Sequence, residues 1–173
     1  MSRSGYTDDY DDDGTGGLWR GAVTRAISGK RGQAALLELA AAMDAMPVKV
    51  LAADSLVTAD GEFCTLGVLG AARGLSMQGI DPEDWDAVAK AFGIAPAMVR
   101  EIVFENDERD DGLEWANWEV CGPMRRAWPH WESHERSGYR STGEDPAAVR
   151  WKRMRAWVEK QLIERAAAQK GGA

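Results

Sequence analysis

Four residues, Cys64, Cys121, His130 and His134, are all the thiols and imidazoles in the chain, so soft-metal or nucleophilic chemistry must start from them. A Cys₂His₂ set is an acceptable zinc site, and His130 and His134 have the i, i+4 spacing that shares one helical face. The rest of the spacing argues against a metal. Cys64 lies in the apolar run Phe63-Cys64-Thr65-Leu66, where a cysteine is usually a small core residue. The cysteines form no C-x₂-C pair, so these four residues are weak metal candidates and the expectation is no cofactor. For nucleophilic catalysis the one candidate group is Cys121 with His130, His134 and Glu132 or Glu135. Two histidines in a tryptophan-rich stretch read as surface or packing residues, and the expectation is a protein that is not an enzyme.

Two further motifs fail on named residues. Asp9-Tyr10-Asp11-Asp12-Asp13-Gly14 opens like a calcium loop, but the position that needs a bidentate glutamate is Arg20 and the aliphatic position is Gly16. Gly14-Thr15-Gly16-Gly17 lacks the lysine and the preceding strand of a phosphate loop.

Residues Val88–Val103 (VAKAFGIAPAMVREIV) have helix-turn-helix spacing: Ala89 is small at the crossing, Gly93 marks the turn, and Val99 and Ile102 pack the second helix on the first. These positions build a helical corner and do not read bases. Of the reading positions Ala95, Pro96, Ala97, Arg100 and Glu101, only Arg100 offers a donor for a guanine edge or a phosphate. The acidic string from Glu105 to Asp111 would repel a DNA backbone. The expectation is a corner for packing or protein contact, with DNA binding through Arg100 as the alternative.

The stretch Glu114–Trp131 carries Trp115, Trp118, Trp128 and Trp131 beside Arg125 and Arg126. Tryptophan and arginine are favoured at interface hot spots, so these six residues are candidate partner contacts. The acidic residues Glu105, Asp107, Glu108, Asp110 and Asp111 are candidates too, because an acidic face can occupy a basic channel of another protein.

The elements that position these residues follow from pattern and composition. A chain of 173 residues with 45 % apolar residues suffices for one domain with a real core. It contains no run of eighteen apolar residues and its start, Met1–Gly5, leads into aspartates, so neither a membrane span nor a signal peptide is expected, and with only two cysteines a cytoplasmic setting is expected. The net charge of −7 argues against nonspecific nucleic-acid binding. That charge is uneven: residues 58–113 hold twelve acidic against four basic groups, and residues 114–173 hold eleven basic against eight acidic ones. Residues 1–17 are acidic and glycine-rich and read as a disordered tail. Residues 18–173 read as a single, mainly α (α+β) domain. Helices are expected from Leu18 to Ser28, from Gly32 to Met46 with Pro47 as its stop, from the Asp81-Pro82 start to Gly93, from Pro96 to the acidic string, and from Pro146 to about Ala168. The Asp60-Gly61 pair predicts a short β-hairpin within residues 48–69, and residues 112–145 read as irregular. No internal repeat is evident.

Several of these segments resemble a group of small proteins encoded by phages and prophages of bacteria. They are Lys30–Leu39 (KRGQAALLEL), Met43–Pro47, Asp60–Gly67 (DGEFCTLG), Ala91–Ala95, Arg100–Val103 with Glu105-Asn106-Asp107, and Met154–Glu159. Residues 112–145 are longer than the matching stretch in that group. The resemblance implies a genetic setting and no activity. Taken with the small size, the acidic middle, the lack of a catalytic set and the Trp-rich segment, it leads to the expectation of a non-enzymatic phage accessory protein that binds a host protein in the bacterial cytoplasm, with an anti-CRISPR-like inhibitor of a defence system as its sharpest form. The alternatives are a helix-turn-helix DNA-binding regulator and a metal-stabilised structural protein.

Overall fold

The computed structural model describes residues 4–6, 16–109, 111–119 and 135–170. Its elements run α1 (Gly16–Ser28), α2 (Lys30–Ala45), α3 (Thr65–Ala72), α4 (Trp85–Phe92), α5 (Pro96–Asp107), β1 (Leu113–Glu119), β2 (Glu135–Ser141) and α6 (Pro146–Lys170). The fold is therefore mainly α with one small antiparallel sheet, the expected class.

α1 and α2 meet at a tight corner. Gly29 separates them, and a Cβ on Gly32 would stand 2.0 Å from the carbonyl oxygen of Ala26, so only glycine permits the approach. Gln33 donates its side-chain amide to the Ile27 carbonyl, satisfying the end of α1. α2 buries Leu36, Leu39, Ala40 and Met43, the i, i+3, i+4, i+7 face predicted for it. Lys49 Nζ then donates to the carbonyls of Met43 and Asp44, placing a cation at the negative end of the helix dipole.

The expected hairpin is reduced to its turn. Gly61 takes φ +84, Thr58 N–H donates to the Glu62 carbonyl, and one antiparallel bridge joins Val57 to Phe63. A longer ladder is blocked on both sides. Asp54 breaks the chain at φ +61, and Cys64 caps α3 immediately after Phe63, its Sγ accepting the Gly67 N–H. Residues 65–69, the end of the segment expected to form the hairpin, belong instead to α3, which is buried from Thr65 to Gly70. An apolar run buried on all sides carries no period to separate strand from helix.

The longer sheet lies where irregular structure was expected. β1 and β2 pair antiparallel over seven residues each, with Trp115 opposite Tyr139 and Glu114 opposite Arg140. The predicted start of α4 is also displaced: Asp81 closes a local turn on the Glu83 N–H, while Asp84 accepts from Ala87 N–H and caps the helix that begins at Trp85. Gly93 ends it in the left-handed conformation at φ 64.

α5 sits at the centre, packed on α1, α3, α4 and α6. It buries Met98, Val99, Ile102 and Val103, and with them the polar Arg100 and Asn106. Asn106 joins three parts of the chain. Its Nδ2 donates to the Ala52 carbonyl at 3.0 Å, and its Oδ1 accepts from the Thr65 N–H at 3.1 Å and the Thr65 hydroxyl at 2.6 Å. Replacing Asn106 with alanine strands a buried carbonyl and a buried N–H together. Asn106→Ala is expected to lower the unfolding free energy by about 2–3 kcal/mol in urea titrations followed by circular dichroism; a change within error would show that these groups find other partners.

Candidate functional site

The acidic string expected to face a partner is largely turned inward. The Asp111 side chain is only 3 % exposed and takes a bidentate pair from Arg153, both contacts at 2.8 Å, with Arg150 Nε at 3.0 Å. The same arginines donate to the carbonyls that close α5: Arg150 to Asn106 at 3.0 Å, and Arg153 to Glu105. Asp107 Oδ1 accepts from the Asp54 N–H and from Asn106, and Glu108 Oε1 accepts from the Ser4 N–H. Glu105 pairs with Arg109 at 3.1 Å and has a side chain 13 % exposed. The physical reason is the position of α5. A helix end surrounded by other elements needs its carbonyls and carboxylates satisfied internally. Asp110 lies outside the described residues.

Arg100, the one DNA-reading candidate, is 9 % exposed. Its guanidinium carbon stands 4.4 Å from the ring centres of both Trp19 and Trp85 and 5.1 Å from that of Tyr6. Nε donates to the Ser4 carbonyl at 2.7 Å and Nη2 to the Gly5 carbonyl at 2.9 Å. The expected helical corner is present, but its second helix is the central helix of the core and presents no free basic side chain at position 100. Three residues of the expected disordered tail, Ser4 to Tyr6, are thus held on the body, with Ser4 fully buried. Sequence reasoning missed this because the groups that hold them are about a hundred positions away.

Of the metal candidates, Cys64 is engaged as the cap of α3; Cys121, His130 and His134 lie outside the described residues, as do Arg125, Arg126, Trp128 and Trp131. No cluster of three metal-ligating side chains occurs among the described residues. An apolar groove of about 510 Å³ runs between the end of α2, the 61–63 turn and α3, bordered by Met46, Val48 and Phe63, with Glu62 its one charged lining residue. That lining suits an apolar group and offers no acid–base pair. Among the described residues no helix is long and apolar enough to cross a membrane.

The surface that remains is the β1–β2 hairpin. Trp115 and Tyr139 are directly opposite, 62 % and 59 % exposed, their rings edge to face at 5.3 Å. Leu113 shares their face, 45 % exposed. Trp118 lies on the other face, its ring over Gly138, where a Cβ would be 3.3 Å away. Glu114 and Arg140 pair at 2.8 Å across the ladder on that second face. In β1 (LEWANWE) only Leu113, Glu114 and Trp115 alternate, and Ala116, Asn117 and Trp118 break the pattern, so the strand carries little period-two signal. Comparison of the chain with known protein families, curated proteins and solved structures finds no match.

Two outcomes follow. Asp111→Asn removes one charge from a pair that shields two arginines, and is expected to cost about 2 kcal/mol in chemical denaturation; an unchanged midpoint would mean that the arginines re-pair. The Tyr6 phenol is held above its ordinary value of 10.0, first by burial and then by donating to the Glu101 carboxylate. A raised pKa means that docking of residues 4–6 keeps its full strength below the ordinary phenol value and loses it as pH rises further. Alkaline difference titration against Tyr6→Phe should therefore assign to Tyr6 a tyrosinate signal above the ordinary range; ionisation at the ordinary value would contradict the docked geometry.

Proposed function

We propose that the chain is a non-enzymatic binding protein that engages a partner protein through its aromatic hairpin. The observation that carries this reading is the exposed Trp115–Tyr139 pair, flanked by Leu113 on the same face. Large aromatics held by a backbone ladder lose little conformational freedom on binding, which is why they serve as interface anchors. Among the described residues both strands of this sheet are also edges, so a partner strand can pair with either one. This reading does not draw on the acidic residues: Asp111 pairs with Arg150 and Arg153, Glu105 with Arg109, while Asp107 accepts from the Asp54 N–H and Glu108 from the Ser4 N–H.

The sharpest form of the proposal is a phage or prophage accessory protein that binds a host protein in the bacterial cytoplasm and inhibits a defence system, in the manner of an anti-CRISPR. Its support is the resemblance carried by the segments between Lys30 and Asp107 and by Met154–Glu159. The helix-turn-helix alternative loses its donor to the burial of Arg100. The metal-stabilised alternative loses Cys64 to the cap of α3.

The test is affinity capture from host lysate with the full chain, beside Trp115→Ala and Tyr139→Ala. Both positions are exposed, so thermal stability should stay within about 0.5–1 kcal/mol of the parent. Recovery of one defined partner should fall about tenfold or more, as expected for loss of an anchor worth 1.4 kcal/mol or above. Equal recovery by all three proteins, or unchanged phage plating on defended and undefended strains, would refute the hairpin and the anti-defence readings respectively.

A further inference from the structure

The apolar groove between the end of α2, the 61–63 turn and α3 is held open by contacts outside it. Small residues from the last turns of the two helices, Ala42 and Ala45 of α2 with Ala71 and Ala72 of α3, make its walls. Lys49 Nζ closes the carbonyl end of α2 on Met43 and Asp44, and Arg155 holds the Asp44 carboxylate at 2.8 and 2.9 Å. A Cβ on Gly67 would collide with the Leu56 carbonyl oxygen, so α3 is seated directly on the chain that precedes the turn. The turn is fixed in its own right: Thr58 N–H donates to the Glu62 carbonyl, and Glu62 N–H donates to the Thr58 hydroxyl at 3.0 Å. A site preformed in this way loses little conformational freedom when it is filled.

The charge of the groove has one sign. Glu62 is its one charged lining residue, and among the described residues the Glu62 carboxylate makes no ion pair. Both helices also end at the groove, so the negative ends of two helix dipoles lie beside that carboxylate. The nearby cations are committed. Lys49 serves the α2 carbonyls and lies 5.0 Å from the Trp151 ring centre, while Arg73 pairs with Glu38 at 2.6 Å and donates to the Phe92 carbonyl. Lys49 offsets the end of α2, which leaves Glu62 and the end of α3 to set the sign. Beside them Val48, another lining residue, keeps 62 % of its surface exposed.

Apolar walls with a carboxylate among them suit a ligand that is apolar along its body and positive at one end. We infer that this groove binds a small amphipathic cation, its apolar body seated between α2 and α3 and its ammonium or guanidinium group paired with Glu62. The extent of the groove decides for a small molecule over a partner helix. Its lining takes in about one turn of each wall helix, whereas a docked helix is read through anchors spread over about two turns. A volume of about 510 Å³ also falls within the range of small-molecule sites. The groove is separate from β1 and β2 and does not depend on the hairpin reading.

The test uses the full chain and three probes of equal chain length: octylammonium chloride, 1-octanol and sodium octanoate. Isothermal titration at neutral pH should show octylammonium binding at one site, about fivefold more tightly than 1-octanol, as expected for one exposed ion pair, with octanoate weakest. Amide resonances of residues 42–50, 61–63 and 68–72 should shift with octylammonium. Glu62→Gln should bind octylammonium and 1-octanol equally, and Ala72→Trp, which fills the groove, should bind neither; Ala45→Trp replaces it should Ala72→Trp fail to fold by circular dichroism. Equal affinity of the parent chain for all three probes, an unchanged preference in Glu62→Gln, or full binding to a folded groove-filling variant would each overturn the proposal. So would the absence of shifts at the groove residues in excess octylammonium.

Discussion

Helix α5 is enclosed by α1, α3, α4 and α6, and the need to satisfy every polar group on it organises the rest of the molecule. Asn106 takes up the Thr65 hydroxyl and N–H and the Ala52 carbonyl, which fixes where α3 starts and where the preceding loop lies. Arg150 and Arg153 of α6 close the carbonyl end of α5 together with Asp111. At its other half Arg100 draws in residues 4 and 5. Buried polar groups are costly unless paired, so each of these bonds also specifies which element lies beside which.

This division separates stability from surface. The charges of the middle of the chain look like an interaction face when counted along the sequence, yet several are structural partners of α6 arginines. The aromatic residues of β1 and β2 are the reverse case. Trp115 and Tyr139 contribute exposed area on a ladder whose own pairing holds them, and little of the core depends on them. A hairpin of this kind can change its contacts with small effect on the helices. The contacts around Arg100 are of the opposite type, made by side chains of α1, α4 and α5 that face one another.

The legible parts of the fold were those governed by local rules. The faces of α1, α2 and α6, the stop at Pro47, the turn at Asp60-Gly61 and the corner at Gly93 all follow from spacing, φ preference and capping. The errors have one physical origin. The hairpin expected within residues 48–69 gives way to α3 because an apolar run buried on every side has no period, and burial of Thr65–Gly70 is a tertiary fact. The β1–β2 ladder was missed because its two halves are separated by residues 120–134, and pairing at that distance leaves only weak alternation in each half.

By itself the sequence determined the helical class and most helix boundaries. It also singled out Trp115 and Trp118, whose exposure the fold then supplied. Only the tertiary structure decided the fate of the charges. Whether Arg100, Glu105, Glu108 or Asp111 meets solvent or a buried partner depends on groups far away in the chain, and electrostatic partnership is set by distance in space, not by position in sequence.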